Sequence, residues 1–314
     1  MNESNTRADM SRLVESGRVA AHAADLTFTA CATVTAAGLD GELARLGQWF
    51  AVDGPEEGEV GLMVSGDSTG PLRLGFGGWR DVLLGVQFED GRGRLISVGG
   101  RVMKNVAGYD LTKFMVGQAG VFGRVVTVTG RTYRRPEGAV AARFSGAVEV
   151  ARLRPQPSWV VETRGGTWAG WLGDRAAVAH AGGMLGRETG VQVIEQGLEE
   201  DGALRRRLWA YPGGGAGGEG GCLKVSVPVG RVGAFVVGAR VKEWVADPWH
   251  GVVLVRVETG QVGAVRDAAW AMGGRAEGEG LPVRVTAAEA GVLRRMKHEL
   301  DPEGNLNPLE LEVV

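Results

Sequence analysis

The stretch Gly99–Arg135, GGRVMKNVAGYDLTKFMVGQAGVFGRVVTVTGRTYRR, constrains the fold of this chain more than any other. A strand-like run ends in the pair Gly99-Gly100, and a loop holding Lys104 and Asn105 follows. Ala107-Gly108-Tyr109-Asp110 then opens a short helix over Asp110–Val116, which Gly117 ends. Gly117, Gly120 and Gly123 run into a strand over Arg124–Tyr133. Glycines so placed remove the Cβ atoms that keep backbone away from a planar or phosphorylated ligand. Lys104 offers a cation, Asn105 a donor and an acceptor, and Asp110 a helix cap. On spacing alone the plainer reading is preferred: a structural loop-to-helix connection with a solvated lysine.

Composition excludes several classes. Net charge is −2 over 314 residues, so no broad basic field exists to hold nucleic acid or an anionic membrane. No run of about 18 apolar residues is present to span a membrane, and the polar Met1–Ala20 is no signal peptide. Cys31 and Cys222 lie far apart and read as core thiols of a cytosolic protein. The histidines, His22, His180, His250 and His298, have no metal-ligand spacing, so no metal site is expected. Glycine is in excess, at 53 residues where an average of roughly 7% gives about 22. A glycine motif therefore counts only in a non-glycine context. The G-x-G-x-x-G at Gly213, Gly215 and Gly218 fails that test: it sits in the run GGGAGGEGG, after a helix and before a strand, the reverse of a dinucleotide fold.

The patterning predicts α+β architecture in two parts. A tail over 1–24 precedes a domain over 25–136, and a second domain covers 137–314, with Pro136-Glu137-Gly138 as the boundary. In the first, strands are expected at Asp25–Val34, Val82–Phe88 and Leu95–Val98, and a helix at Thr35–Leu46. In the second, strands are expected at Val140–Phe144, Trp159–Glu162, Thr167–Leu172, Leu223–Val227 and Val252–Glu258. Helices are expected at Ala147–Leu153, Ala203–Trp209, Arg231–Trp244, Gln261–Met272 and Thr286–Leu300, making a sheet with helices on one face. Thr286 and Glu289 form a capping-box pattern.

Three segments resemble the FAD-binding E subunit of bacterial glycolate oxidase, of the FAD-linked oxidase family. Gly99, Gly100, Val102, Lys104, Asn105, Val106, Ala107, Gly108, Tyr109, Asp110, Leu111 and Lys113 match that family's G-G-x-V-x-K-N-V-A-G-Y-D-L-x-[RK] in register. Upstream, Gly70, Pro71, Arg73, Gly77, Arg80, Asp81, Leu84 and Gly85 match S-G-P-R-R-x-x-Y-G-x-x-R-D-x-V-L-G. Near the end, Asp301, Pro302, Gly304, Asn307 and Pro308 match D-P-x-G-x-x-N-P. The resemblance implies an incomplete p-cresol-methylhydroxylase-type FAD-binding domain, followed by an α+β sandwich cap domain whose C-terminal tail returns to the first domain. It implies FAD, with cofactor-binding positions at Gly61, Gly70, Gly77, Lys104, Asn105, Gly108, Asp110, Gly120, Gly123 and Asn307.

The chain also departs from that family. Asp25 matches the strand that follows the family's pyrophosphate-binding lobe, so that lobe is expected to be lacking and FAD binding by the isolated chain to be weak. Glu59-Val60-Gly61-Leu62 stands where T-x-G-G is usual, and Arg124 replaces an apolar strand residue. The resemblance implies a subunit of an FAD-dependent 2-hydroxy-acid oxidoreductase, beside a catalytic D-type flavoprotein subunit and an iron–sulfur subunit. Such a complex is cytoplasmic, peripheral to the inner membrane. The alternative is a degenerate, non-flavin accessory subunit acting by protein–protein interaction. No catalytic residue is assigned.

Overall fold

A computed structural model describes residues 19–101, 111–145, 148–187, 190–210 and 221–314. They form two compact units. The first takes the residues up to Thr69, Gly77–Arg135 and Val285–Val314; the second takes Gly70–Phe76 and Pro136–Arg284.

The first unit is built on an antiparallel sheet. Its strands are β1 (Val19–His22), β2 (Thr27–Cys31), β4 (Leu83–Glu89), β5 (Leu95–Gly99) and β6 (Arg124–Arg131), in the order β1-β2-β6-β4-β5. A small separate pair joins β3 (Gln48–Trp49) to β7 (Tyr133–Arg134). The sequence assigned the residues before Asp25 to a tail; instead Val19–His22 pairs along β2, because Val19 and Ala21 reach the apolar core. That core joins Phe28, Ala30 and Val128 of the sheet to Leu39 and Leu43 of the helix Ala36–Ala44, and to Val60 and Val64 of the helix Val60–Ser65. Thr35 caps the first helix by accepting from Gly38 N at 3.1 Å. Phe28, Phe50 and Trp79 stack in sequence, with centroids 5.5 and 5.3 Å apart. On the sheet's other face, buried polar side chains pair with one another, Thr29 with Thr129 at 3.0 Å and Thr127 with Gln87 at 3.3 Å, and Gln87 also donates to the exposed Ser97 at 2.9 Å.

The second unit is an eight-stranded antiparallel sheet. Its strands are β8 (Gly138–Phe144), β9 (Trp159–Thr163), β10 (Gly166–Gly173), β11 (Val191–Gln196), β12 (Gly221–Ser226), β13 (Glu243–Asp247), β14 (Val252–Val257) and β15 (Arg275–Glu277). The order β11-β8-β10-β9-β13-β14-β12-β15 is two four-stranded halves joined where β9 meets β13. Helices Arg175–Leu185, Val232–Gly238 and Val262–Ala271 cover the face carrying Val160 and Ala246. The expectation of helices on one face only is corrected by Trp159. It alternates with Val160, and its indole Nε1 donates to Asp201 on the helix Leu198–Leu208 at 2.9 Å.

Other expectations change here. Gly70–Phe76, assigned to the first domain, goes with the second unit, because Leu74 joins its apolar cluster and the backbone of Gly75 lies against that of Ser158. Over Ala147–Leu153 only a 3-10 turn, Val150–Arg152, is seen among the described residues. The helix expected over Arg231–Trp244 ends at Gly238; Arg240 turns left-handed at φ 52°, and Trp244 lies on β13 opposite Val255. The capping box on Ala287–Leu300 forms, with Thr286 N donating to Glu289 Oε2 at 2.8 Å and Glu289 N to Thr286 Oγ1 at 3.3 Å. Among the described residues no helix is long and apolar enough to cross a membrane, and no group of metal-binding side chains is found.

Candidate functional site

The first unit holds a cavity of about 570 Å³. Its walls come from the end of β2 (Ala32, Thr33), the helix after Glu59 (Gly61, Leu62, Ser65, Gly66), the turn before β6 (Ala119, Gly120, Gly123, Arg124) and the C-terminal segment Asn305–Asn307. The volume falls within the roughly 300–1,000 Å³ of small-molecule sites.

Of the ten predicted cofactor positions, Gly61, Gly120, Gly123 and Asn307 line this cavity, while Gly70 and Gly77 do not. Lys104, Asn105, Gly108 and Asp110 lie outside the described residues. The substituted positions Glu59, Leu62 and Arg124 all reach the cavity wall. Arg80 and Asp81 have separate partners. Arg80 donates to the carbonyls of Lys113 and Val116 at 3.0 Å each, and Asp81 accepts from Gly78 N at 2.9 Å.

The cavity glycines are fixed by the chain itself. A Cβ on Gly61 would stand 2.5 Å from that of Ala32, and one on Gly123 2.4 Å from the Phe88 ring. Gly120 has φ +75° and faces the Asn307 amide, so a Cβ there would be both strained and 2.7 Å from Nδ2. Ser65, Ala119 and Asn305 also line the wall, and sequence reasoning missed them. The one available signal was that they neighbour motif residues.

The C-terminal wall is held by a network centred on the buried Asp301. Lys297 Nζ donates to Asp301 Oδ2 at 2.6 Å, to Asn307 O at 2.7 Å and to Val121 O at 2.9 Å. The Asp301 carboxylate also accepts from Asn305 N at 2.7 Å and Leu306 N at 3.0 Å. Asn307 Nδ2 donates to Ala119 O at 2.7 Å, and Asn305 Nδ2 to Gly91 O at 2.9 Å. Burial alone would raise the Asp301 pKa, but the hydrogen bonds from Lys297, Leu306 and Asn305 more than offset it, and the net shift is downward. Asp90 behaves alike: burial raises, the Arg94 side chain and the Arg94 and Arg92 amides lower, and the outcome is below the usual carboxylate range. A depressed carboxylate contributes stability above its unfolded pKa and loses it as pH falls through its folded pKa. The first unit is therefore expected to keep full stability at neutral pH and to weaken below the ordinary carboxylate range. Urea midpoints against pH would show this, and Asp301→Asn would flatten the acid limb.

A flavin dinucleotide, the ligand the resemblance implies, fits the wall. The backbone of Gly61, Gly66 and Gly120 forms part of it. Leu62, 67% exposed, offers an apolar surface for a ring. Arg124, 3.6 Å from Glu89 and largely in solvent, offers a fork for an anionic group. None of the four histidines lines the cavity.

No protein-family model matches the chain. It is similar to glycolate oxidase subunit GlcE of Escherichia coli (strain K12), with 26% identity over 90% of this chain and 81% of that one. It is 35% identical over 78 residues, 25% of this chain, to glycolate oxidase subunit GlcD of Bacillus subtilis (strain 168), of which it spans 17%. With D-lactate dehydrogenase [cytochrome], mitochondrial, of Arabidopsis thaliana it shares 28% identity over 32% of this chain and 18% of that one. Among solved structures, alkyldihydroxyacetonephosphate synthase superposes with a TM-score of 0.62 at 12% identity, over 93% of this chain. The chain spans 65% of that structure's length, and the likeness establishes the α+β fold expected from the resemblance.

Proposed function

We propose that this chain, similar to GlcE over 90% of its length, is a subunit of a glycolate oxidase-like FAD-dependent 2-hydroxy-acid oxidoreductase. The observation that carries the reading is the cavity, because residues from the glycine turn and the C-terminal D-P-x-G-x-x-N segment meet there. Gly61, Ser65, Gly120, Gly123 and Asn307 would hold FAD, which supplies two-electron oxidation when bound. Leu62 would offer an apolar surface on one side of the cavity, and Arg124 would neutralise an anionic group at its rim. The catalytic partner is a D-type flavoprotein subunit, with an iron–sulfur subunit taking electrons, in a cytoplasmic complex peripheral to the inner membrane.

The test is the visible absorption of the purified chain, alone and with its D-type partner. Flavin bands are expected in the complex. A folded, colourless chain in both states would overturn the reading. It would favour the second one, a non-flavin accessory subunit, for which the Glu59 carboxylate on the same wall speaks, since it repels phosphate.

A further inference from the structure

Lys297 sits on the helix Ala287–Leu300, outside the residues that line the cavity, yet it is wired to two of its walls. An ammonium group has three donors. Here they go to Val121 O in the turn before β6, to Asp301 Oδ2 at the helix end, and to Asn307 O in the C-terminal segment. The Lys297 side chain is 16% exposed and that of Asp301 0%, so the pair is shielded from solvent screening. Beyond it, Asn307 N donates to Gly120 O at 3.3 Å and Asn307 Nδ2 to Ala119 O at 2.7 Å. The two walls thus meet through one cation, one amide side chain and one backbone hydrogen bond.

We propose that Lys297 is the positioning residue of this cavity. It fixes the C-terminal wall, Asn305–Asn307, against the glycine turn and so sets the shape any ligand meets. Asp301 completes the device by holding the ammonium and the amides of Asn305 and Leu306 at once. The consequence for ligand affinity rests on the proposed flavin function; the placement of the wall does not.

The experiment uses the full chain and the variants Lys297→Met and Asp301→Asn, the second being nearly isosteric so that one of them folds. Backbone hydrogen exchange is read over residues 118–123 and 304–308, and flavin affinity by titration. Exchange is expected to rise about tenfold or more in those two segments while β2 and β6 keep wild-type protection. Flavin affinity should fall about 10-fold or more, as when a supporting contact of a binding residue is lost. Unchanged exchange in both segments would overturn the proposal. So would an equal rise across β2 and β6, which would make Lys297 a general stabiliser. If the wild type, alone and with its partner, takes no flavin, the functional reading falls, and the exchange pattern still decides the role of Lys297.

Discussion

Replacing Arg205 by methionine is expected to cost the second unit about 3–5 kcal/mol. Asp201 is fully buried, and the Arg205 side chain is 9% exposed. Arg205 Nε donates to Asp201 Oδ2 at 2.8 Å, and Trp159 Nε1 donates to Oδ1 at 2.9 Å. Methionine fills similar volume and leaves the carboxylate without this counter-ion in a low-dielectric site, which costs more than the pair gains. The double variant Asp201→Asn with Arg205→Met should recover much of the loss, because no charge stays buried. Urea unfolding followed by tryptophan fluorescence measures both. A loss below about 1 kcal/mol in the single variant would show that the carboxylate takes up a proton or water at little cost.

Gly91→Ala is expected to have the next largest effect, about 3 kcal/mol in the first unit. An added Cβ would stand 2.1 Å from Asp301 Oδ1, 2.7 Å from its Cγ and 2.8 Å from its Cα. Two of those atoms cannot swing aside as the end of a flexible side chain would. Gly91 N also donates to Leu300 O at 2.8 Å, so the hairpin cannot retreat without losing that bond. The hairpin itself is stiff, since the Asp90 carboxylate binds the amides of Arg92 and Arg94 at 2.9 Å each and Arg94 Nε at 2.8 Å. The strain should therefore fall on the C-terminal segment. Thermal unfolding and proteolysis after residue 300 would register it; a variant as stable and as resistant as wild type would contradict it.

Much of the first unit was legible because its signals are local. The helix that begins after Thr35 and the Thr286–Glu289 box each depend on neighbours within a few residues. Strands β2, β4, β5 and β6 fall inside or within a residue of their expected spans, since their alternation is carried by Val, Thr and Phe. Elements decided by distant contacts were not legible. β1 exists because β2 offers an edge, and β13 takes residues from an expected helix because Trp244 packs across from Val255. Gly75 gave no sign that its partner would be Ser158. At the cavity, Gly61, Gly120, Gly123 and Asn307 could be named from the sequence. Their physical reason could not. Gly61, Gly120 and Gly123 are small because Ala32, Asn307 and Phe88 press on them, which no spacing rule contains.

The division of the chain has a bearing on its synthesis. The second unit, Pro136–Arg284, is complete in the growing polypeptide before Val285–Val314 has been made. Domains condense as they emerge, and the first-made one usually leads. Here the first unit waits for Val285–Val314, the segment that carries Lys297 and Asn305–Asn307. The cavity can therefore take shape only after the residues of the second unit have been made. A chain cut short by even a few residues upstream of Lys297 can hold a finished second unit and no pocket.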